Sequence, residues 1–235
     1  MSENGPKLDL LVFAAHPDDA EIGMGGTLAK EAAAGKKAGI VDLTRAELSS
    51  NGTVELRQRE AREAADILGL AVRDNLGLPD RGLAPVPEQL EAIVAAIRRY
   101  RPRVVFAPWP EDRHPDHVRC GLMVEEAVFN AKLRRYMPEL PAWQVEALYF
   151  YMIHETVPPR LIVDVSEVYE KKRRALGAYR SQFASAANAE GRVITPLTEG
   201  YLDWVEARDR LLGQPHRMEY AEGFMTKGPI VVAGF

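Results

Sequence analysis

Strand-length apolar runs alternate with stretches of helical periodicity along the first half of this chain, and that alternation restricts the fold more than any other feature. "LDLLVFAA" (8–15), "AGIVDLT" (38–44), "VRDNLGL" (72–78) and "RVVFAPW" (103–109) read as strands. Residues 25–35, 54–69, 87–102 and 115–136 read as helices. Gly35 ends the first helix, and Thr53 and Gly69 are placed to cap and stop the second. Pro115 opens the fourth at a position where its missing N–H costs nothing. This β-α order predicts an α/β fold with a parallel sheet and helices on both faces. Further strands are expected at 145–153 and 160–164, and further helices at 166–180 and 199–212. The apolar tail "KGPIVVAGF" reads as a final strand or a docking segment. No internal repeat, low-complexity tract or linker interrupts the 235 residues, so one domain is expected over 1–235.

Composition narrows the function classes. The chain is 46% hydrophobic and 27% charged, as in a soluble globular protein with one sizeable core. A net charge of −4 argues against a general nucleic-acid binder but leaves room for a local basic pocket. The lone Cys120 excludes an internal disulfide and a Cys-rich zinc motif. The N-terminal stretch lacks the pattern of a secretory signal, and no apolar run nears the ~20 residues of a membrane span. The expected compartment is the cytoplasm, where the "NGT" acceptor at Asn51 would be idle.

In parallel sheets, ligands bind where the strands' carboxyl ends open onto loops. "HPDDAE" follows the first strand and "PWPEDRHPDH" the fourth. Either alone would pass as a polar loop tip. Two His-Pro-Asp stretches at the same edge point to a metal centre. A catalytic zinc takes three protein ligands and keeps one position for water. His16 and Asp19 form a short-spaced pair, and His117 supplies the distant third ligand; another divalent metal of similar ligand taste would also suit them. Asp18 can face the water as general base if Asp19 faces the metal. His114 is left as a general acid or an oxyanion stabiliser. "GMGG" mimics a dinucleotide fingerprint, but that motif needs glycine where Leu28 stands. Gly23, Gly25 and Gly26 are expected to let the backbone pass close under the metal loop.

At "AHPDDAEIGMGGTLAK" and "EDRHPDHVRC" the sequence resembles the zinc-dependent N-acetylglucosamine deacetylases, the PIG-L or LmbE-like family. "DLTRAELSSNGTVELRQREA", "NLGLPDRGL", "KLRRYMPELP" and "PLTEGY...YAEGFM" are similar to its bacillithiol-biosynthesis branch. The resemblance implies a Rossmann-like sheet, one zinc per chain and removal of acetate from a glucosamine unit, with N-acetylglucosaminyl malate as the branch's substrate. Whether iron takes the place of zinc stays open. Carried onto this chain, it implies His16, Asp19 and His117 as ligands, Asp18 as base and His114 as its assistant. Arg57 matches a substrate-contacting position, and Asp80 and Arg81 match a loop lining the sugar pocket. It also implies a homo-oligomer, commonly a hexamer; the net charge and the lack of a long apolar run lead to the expectation of no nucleic-acid or membrane partner.

A malate aglycone would need cations at the pocket mouth, and Arg57, Arg81 and Arg113 are available for bidentate carboxylate contact. For Arg57 the alternative is a solvated helix residue, and for Arg113 a cap on the loop after the fourth strand. Tyr201 either reaches over the pocket or packs in the core. His154 and His216, far from both loops in sequence, are read as structural. Cys120, one turn after His117, reads as a small buried helix residue. "EKKRRALGAYR" reads as a solvated basic helix face or a subunit contact. Rival functions keep the chemistry on free N-acetylglucosamine, chitin oligomers or thiol-conjugate amides. A metal- or nucleotide-binding module without catalysis is a different class, and a free carboxylate such as Asp18 argues against it.

Overall fold

The structure is a computed structural model and describes residues 5–185 and 191–230. Strands β1 (Leu10–Ala14), β2 (Ala38–Thr44), β3 (Val72–Leu78), β4 (Val104–Pro108), β5 (Ala147–Tyr151), β6 (Leu161–Asp164) and β7 (Ala221–Met225) form one sheet in the order β3-β2-β1-β4-β5-β7-β6. The first five of that order run parallel, and β7 runs antiparallel to both β5 and β6. The helices are α1 (Asp19–Ala33), α2 (Val54–Leu68), α3 (Pro87–Tyr100), α4 (Pro115–Ala131), α5 (Tyr169–Ala178), the short α6 (Arg180–Phe183) and α7 (Tyr201–Gly213). The expected α/β architecture is therefore present, with helices on both faces of a mostly parallel sheet.

The period-2 rule of a strand buried on both sides is visible in β1. Val12 and Ala14 pack into a core with residues of α1, α2, α5 and α7, whereas Leu11 and Phe13 pack into a second core with α3 and α4. Thr53 Oγ1 accepts the Leu56 N–H at 3.2 Å, and Gly69 closes α2 at φ 77°, as capping chemistry requires.

Several boundaries differ from expectation for identifiable reasons. Helix α1 begins at Asp19, six residues before the expected 25, with a kink at Met24 (φ −151°). Its glycines lower helix propensity, and they lie inside the helix rather than beneath the metal loop. A side chain at Gly23 would collide with the Tyr151 ring, so that glycine lets α1 close against β5. Helix α4 ends at Ala131 instead of 136 because the chain wraps around a buried guanidinium. Arg98 donates to the carbonyls of Ala131 (3.1 Å), Leu133 (2.9 Å), Met137 (2.7 Å) and Leu140 (2.9 Å).

Among the described residues the last strand is β7; 227–230 form no strand, and the rest of the tail, 231–235, lies outside the described residues. The basic stretch of α5 is not wholly a solvated face. Lys172 is fully buried and donates to Asp209 and Glu222, each at 2.6 Å. Glu222 in turn accepts the Gly26 and Thr27 N–H groups, which ties β7 to the glycine-rich part of α1. Among the described residues, no helix is long and apolar enough to cross a membrane.

Candidate functional site

Strand β1 lies between β2 and β4, so chain order reverses there and the loops after β1 and β4 open side by side. This brings His16, Asp18 and Asp19 against His114 and His117, although about a hundred residues separate them in sequence. They line a cleft of about 170 Å³, whose rim comes from the loops after β2 and β3, the start of β5's exit loop and the 191–198 segment.

Asp19 stands between the two expected ligand histidines. Its Oδ1 lies 3.1 Å from His117 Nε2, and its Oδ2 lies 3.4 Å from His16 Nδ1. Each histidine has a carboxylate behind it. His117 Nδ1 is 3.0 Å from Asp112 Oδ1, and His16 Nε2 is 3.2 Å from Asp80 Oδ1 and 3.6 Å from Asp116 Oδ2. Such partners fix ring orientation and make ligand nitrogens more basic. Burial works against protonated imidazoles here, yet Asp19 and Asp112 push His117 up to about 9. Against the same burial, Asp116, Asp19 and Asp80 raise His16 well above its ordinary value. Burial also opposes an ionised Asp19, but the two imidazoles hold its carboxyl well below the carboxylate range. The site thus favours positive charge around Asp19, which has one oxygen toward each histidine. That donor set fits a divalent cation such as zinc.

His114 is also near: one ring nitrogen from each of His16, His114 and His117 falls within 4.8 Å of the others. Its Nδ1, however, accepts the Asp116 N–H at 3.2 Å as the N-cap of α4. The proton of the neutral ring therefore sits on Nε2. Burial, with His117 and His16 nearby, lowers His114 to about 4.

Asp18 has a backbone φ of 131°, a strained conformation for a residue with a side chain. Its carbonyl accepts the Ile22 N–H at 2.9 Å, which starts α1, and its carboxylate is held by Arg57 Nη2 at 2.8 Å. Burial pushes Asp18 up to about 7, against the pull of Arg57.

Of the three arginines expected at the mouth, Arg57 and Arg81 line the cleft and Arg113 does not. Arg57 is only 5% exposed and braces the loop after β1, with its Nε donating to the Pro17 carbonyl at 2.7 Å. It is neither a solvated helix residue nor an outward arm, although its Nη1 is buried without a partner at the cleft wall. Arg81 lines the cleft with its side chain 47% exposed, and one arm bonds Asp116 Oδ1 at 3.1 Å. Arg113 is exposed and lies outside the cleft wall. Asp80 lines the wall but is engaged by His16 and by the Leu48 N–H at 2.9 Å.

His154 is the residue whose place the sequence concealed. It lines the cleft, its ring stacks on His117 at 5.2 Å, and its backbone N–H donates to Asp112 Oδ2 at 3.0 Å. The expectation that it is remote is corrected: β5 pairs with β4, so the exit of β5 joins the same edge. Tyr201 lies behind the wall, its hydroxyl 2.8 Å from His154 Nδ1. Asp112 was also missed, although "EDRHPDH" places it five residues before His117. His216 stays away from the cleft, and Cys120 is a buried core residue of α4. The Asn51 amide is not displayed as an acceptor: it is buried and bonds both polar groups of the Val193 backbone at 2.8 and 2.9 Å.

Comparison with known proteins bears on this geometry. The family model for GlcNAc-PI de-N-acetylase (PIG-L) matches residues 11–128, which carry both His-Pro-Asp stretches. Diacetylchitobiose deacetylase of Thermococcus kodakarensis is 33% identical over 189 residues, 74% of this chain and 70% of its own length. The "Probable N-acetyl-alpha-D-glucosaminyl L-malate deacetylase 2" of Bacillus anthracis is 26% identical over 84% of this chain and 91% of its own. Among solved structures, a conserved protein of Thermus thermophilus superposes with a TM-score of 0.88 at 43% identity, covering 96% of this chain and 97% of that one.

Proposed function

The chain belongs to the GlcNAc-PI de-N-acetylase (PIG-L) family, and from that premise we propose that it hydrolyses the N-acetyl group of an N-acetylglucosaminyl conjugate in the cleft between the β1 and β4 loops. The observation that carries this reading is Asp18, strained, buried and held by Arg57 beside the His16, Asp19 and His117 donor set. A carboxylate kept off the donors and close to neutrality is what a general base needs, whereas a simple metal holder has no use for one.

His16, Asp19 and His117 would hold a zinc or similar divalent ion. When bound, such an ion polarises an amide and makes water acidic enough to act as a nucleophile near neutral pH. The chain's own residues do the rest. Arg57 aims Asp18, which takes the proton from the attacking water. His114 donates its Nε2–H to the amide oxygen as negative charge develops there, so the tautomer fixed by the α4 cap favours the oxyanion role over that of a cationic acid. The proton gathered by Asp18 then passes to the departing amine. Asp112, Asp80 and Asp116 keep the rings of His117 and His16 in place.

A malate aglycone draws support from the Bacillus anthracis relative's name and from the half-exposed guanidinium of Arg81. The Thermococcus relative's name points equally to a second sugar. The test of the core reading is acetate release from N-acetylglucosamine conjugates by protein of measured metal content. Metal-loaded protein that releases no acetate from any of them would overturn it.

A further inference from the structure

His154 is the cleft histidine that the deacetylase reading leaves without a role. It stands at the exit of β5 and lines the cleft with His16, His114 and His117. Its backbone is fixed by the same carboxylate that backs His117. The His154 N–H donates to Asp112 Oδ2 at 3.0 Å, and Asp112 Oδ1 lies 3.0 Å from His117 Nδ1. Its ring stacks on His117 at 5.2 Å, and the His114 ring stacks on His117 at 4.6 Å.

One edge of the His154 ring is engaged from behind. Its Nδ1 lies 2.8 Å from the hydroxyl of Tyr201, which is not part of the cleft wall. Tyr201 is buried, and its ring stacks on Phe183 and Trp204. Among the described residues its hydroxyl has no other acceptor. A buried O–H without an acceptor is unfavourable, so the phenol donates and Nδ1 accepts. The neutral ring then carries its proton on Nε2. A protonated ring carries one there as well. Either way, the edge turned from Tyr201 presents an N–H donor that nothing else among the described residues accepts.

Resting on the deacetylase reading above, we propose that His154 is a further substrate-binding residue: its Nε2–H donates to one hydroxyl oxygen of the N-acetylglucosaminyl unit, and Tyr201 holds the ring in that tautomer. The rings of His114 and His154 both stack on His117 but not on each other, so they approach it from different sides. His114 meets the amide oxygen, which leaves His154 to the sugar that carries the amide. A sugar hydroxyl is a neutral acceptor of the kind a neutral imidazole N–H satisfies.

The experiment measures kcat/KM for acetate release from N-acetylglucosamine and its 1-, 3-, 4- and 6-deoxy analogues. It uses wild type, His154→Ala and Tyr201→Phe, each checked for fold by circular dichroism and for metal content. Wild type should lose about 2- to 12-fold on one analogue through this contact, the range of a neutral hydrogen bond. His154→Ala should lose a similar factor on the parent sugar and none further on that analogue. Tyr201→Phe frees the ring to take the other tautomer, so the penalty for the same analogue should shrink toward one. A merely structural loss lowers all five sugars alike and leaves their ratios unchanged. If His154→Ala keeps every deoxy penalty of the wild type, or has lost its metal, the inference is overturned and the deacetylase reading stands. Unchanged ratios in Tyr201→Phe overturn the part given to Tyr201. No acetate from any of the five sugars by metal-loaded wild type overturns the inference, and none from the conjugates either overturns both.

Discussion

Replacing Arg57 with alanine separates two roles for one residue. An arginine that read the aglycone would matter only to substrates carrying carboxylates. In the structure Arg57 instead donates to Asp18 Oδ2 at 2.8 Å and to the Pro17 carbonyl at 2.7 Å, buried at the cleft wall. A hydrogen bond to a charged group contributes about 1.5–3 kcal/mol. If that contribution is realised as correct aim of the base, Arg57→Ala should lower kcat/KM by about 10- to 150-fold. The loss reaches at most the low end of the 10²–10⁴ typical of removing a general base outright, because Asp18 itself remains. It should be the same for N-acetylglucosamine and for N-acetylglucosaminyl malate, since both present the same amide to Asp18. The assay is acetate release on both substrates, with metal content and circular dichroism confirming a loaded, folded variant. A loss confined to the malate conjugate would refute the bracing role and return Arg57 to the aglycone.

Asp18→Asn should retain the metal and lose on the order of 10²- to 10⁴-fold in kcat; a metal-free variant by elemental analysis would make Asp18 a ligand instead. His117→Ala should lose the metal, whereas His114→Ala should keep it and show a lowered kcat, so metal content of the two purified variants decides between their roles. Asp112→Asn removes the carboxylate behind His117 Nδ1 (3.0 Å) and should weaken metal affinity by about 10- to 100-fold in chelator competition; unchanged affinity would show that the pair does not support the ligand. Thr53→Ala deletes the α2 cap and should cost ~1 kcal/mol in urea unfolding, with no change expected if water replaces the Thr53 hydroxyl.

Much of the fold was legible because its signals are local. The strands at 38–44 and 72–78, the Thr53 cap and the Gly69 stop depend only on residue type and spacing, and each stands where the sequence placed it. The shared edge of the two His-Pro-Asp stretches was legible too, since parallel strands expose their carboxyl ends together. What failed was decided by neighbours distant in sequence. The glycines of α1 weaken a helix in isolation; only the Tyr151 ring and the Glu222 carboxylate make them useful there. Lys172 looks solvated until Asp209 and Glu222 arrive from other elements.

The same division runs through the site. Residue chemistry and spacing alone determined that His16, Asp18, Asp19, His114 and His117 form one candidate centre. Only the tertiary structure turned Arg57 inward to Asp18, put Asp112 behind His117 and carried His154 to the cleft through the pairing of β5 with β4. A motif names donors because their chemistry belongs to the residue. Side-chain direction and strand adjacency belong to the packed whole, where burial and non-local hydrogen bonds outweigh any preference that the local chain expresses.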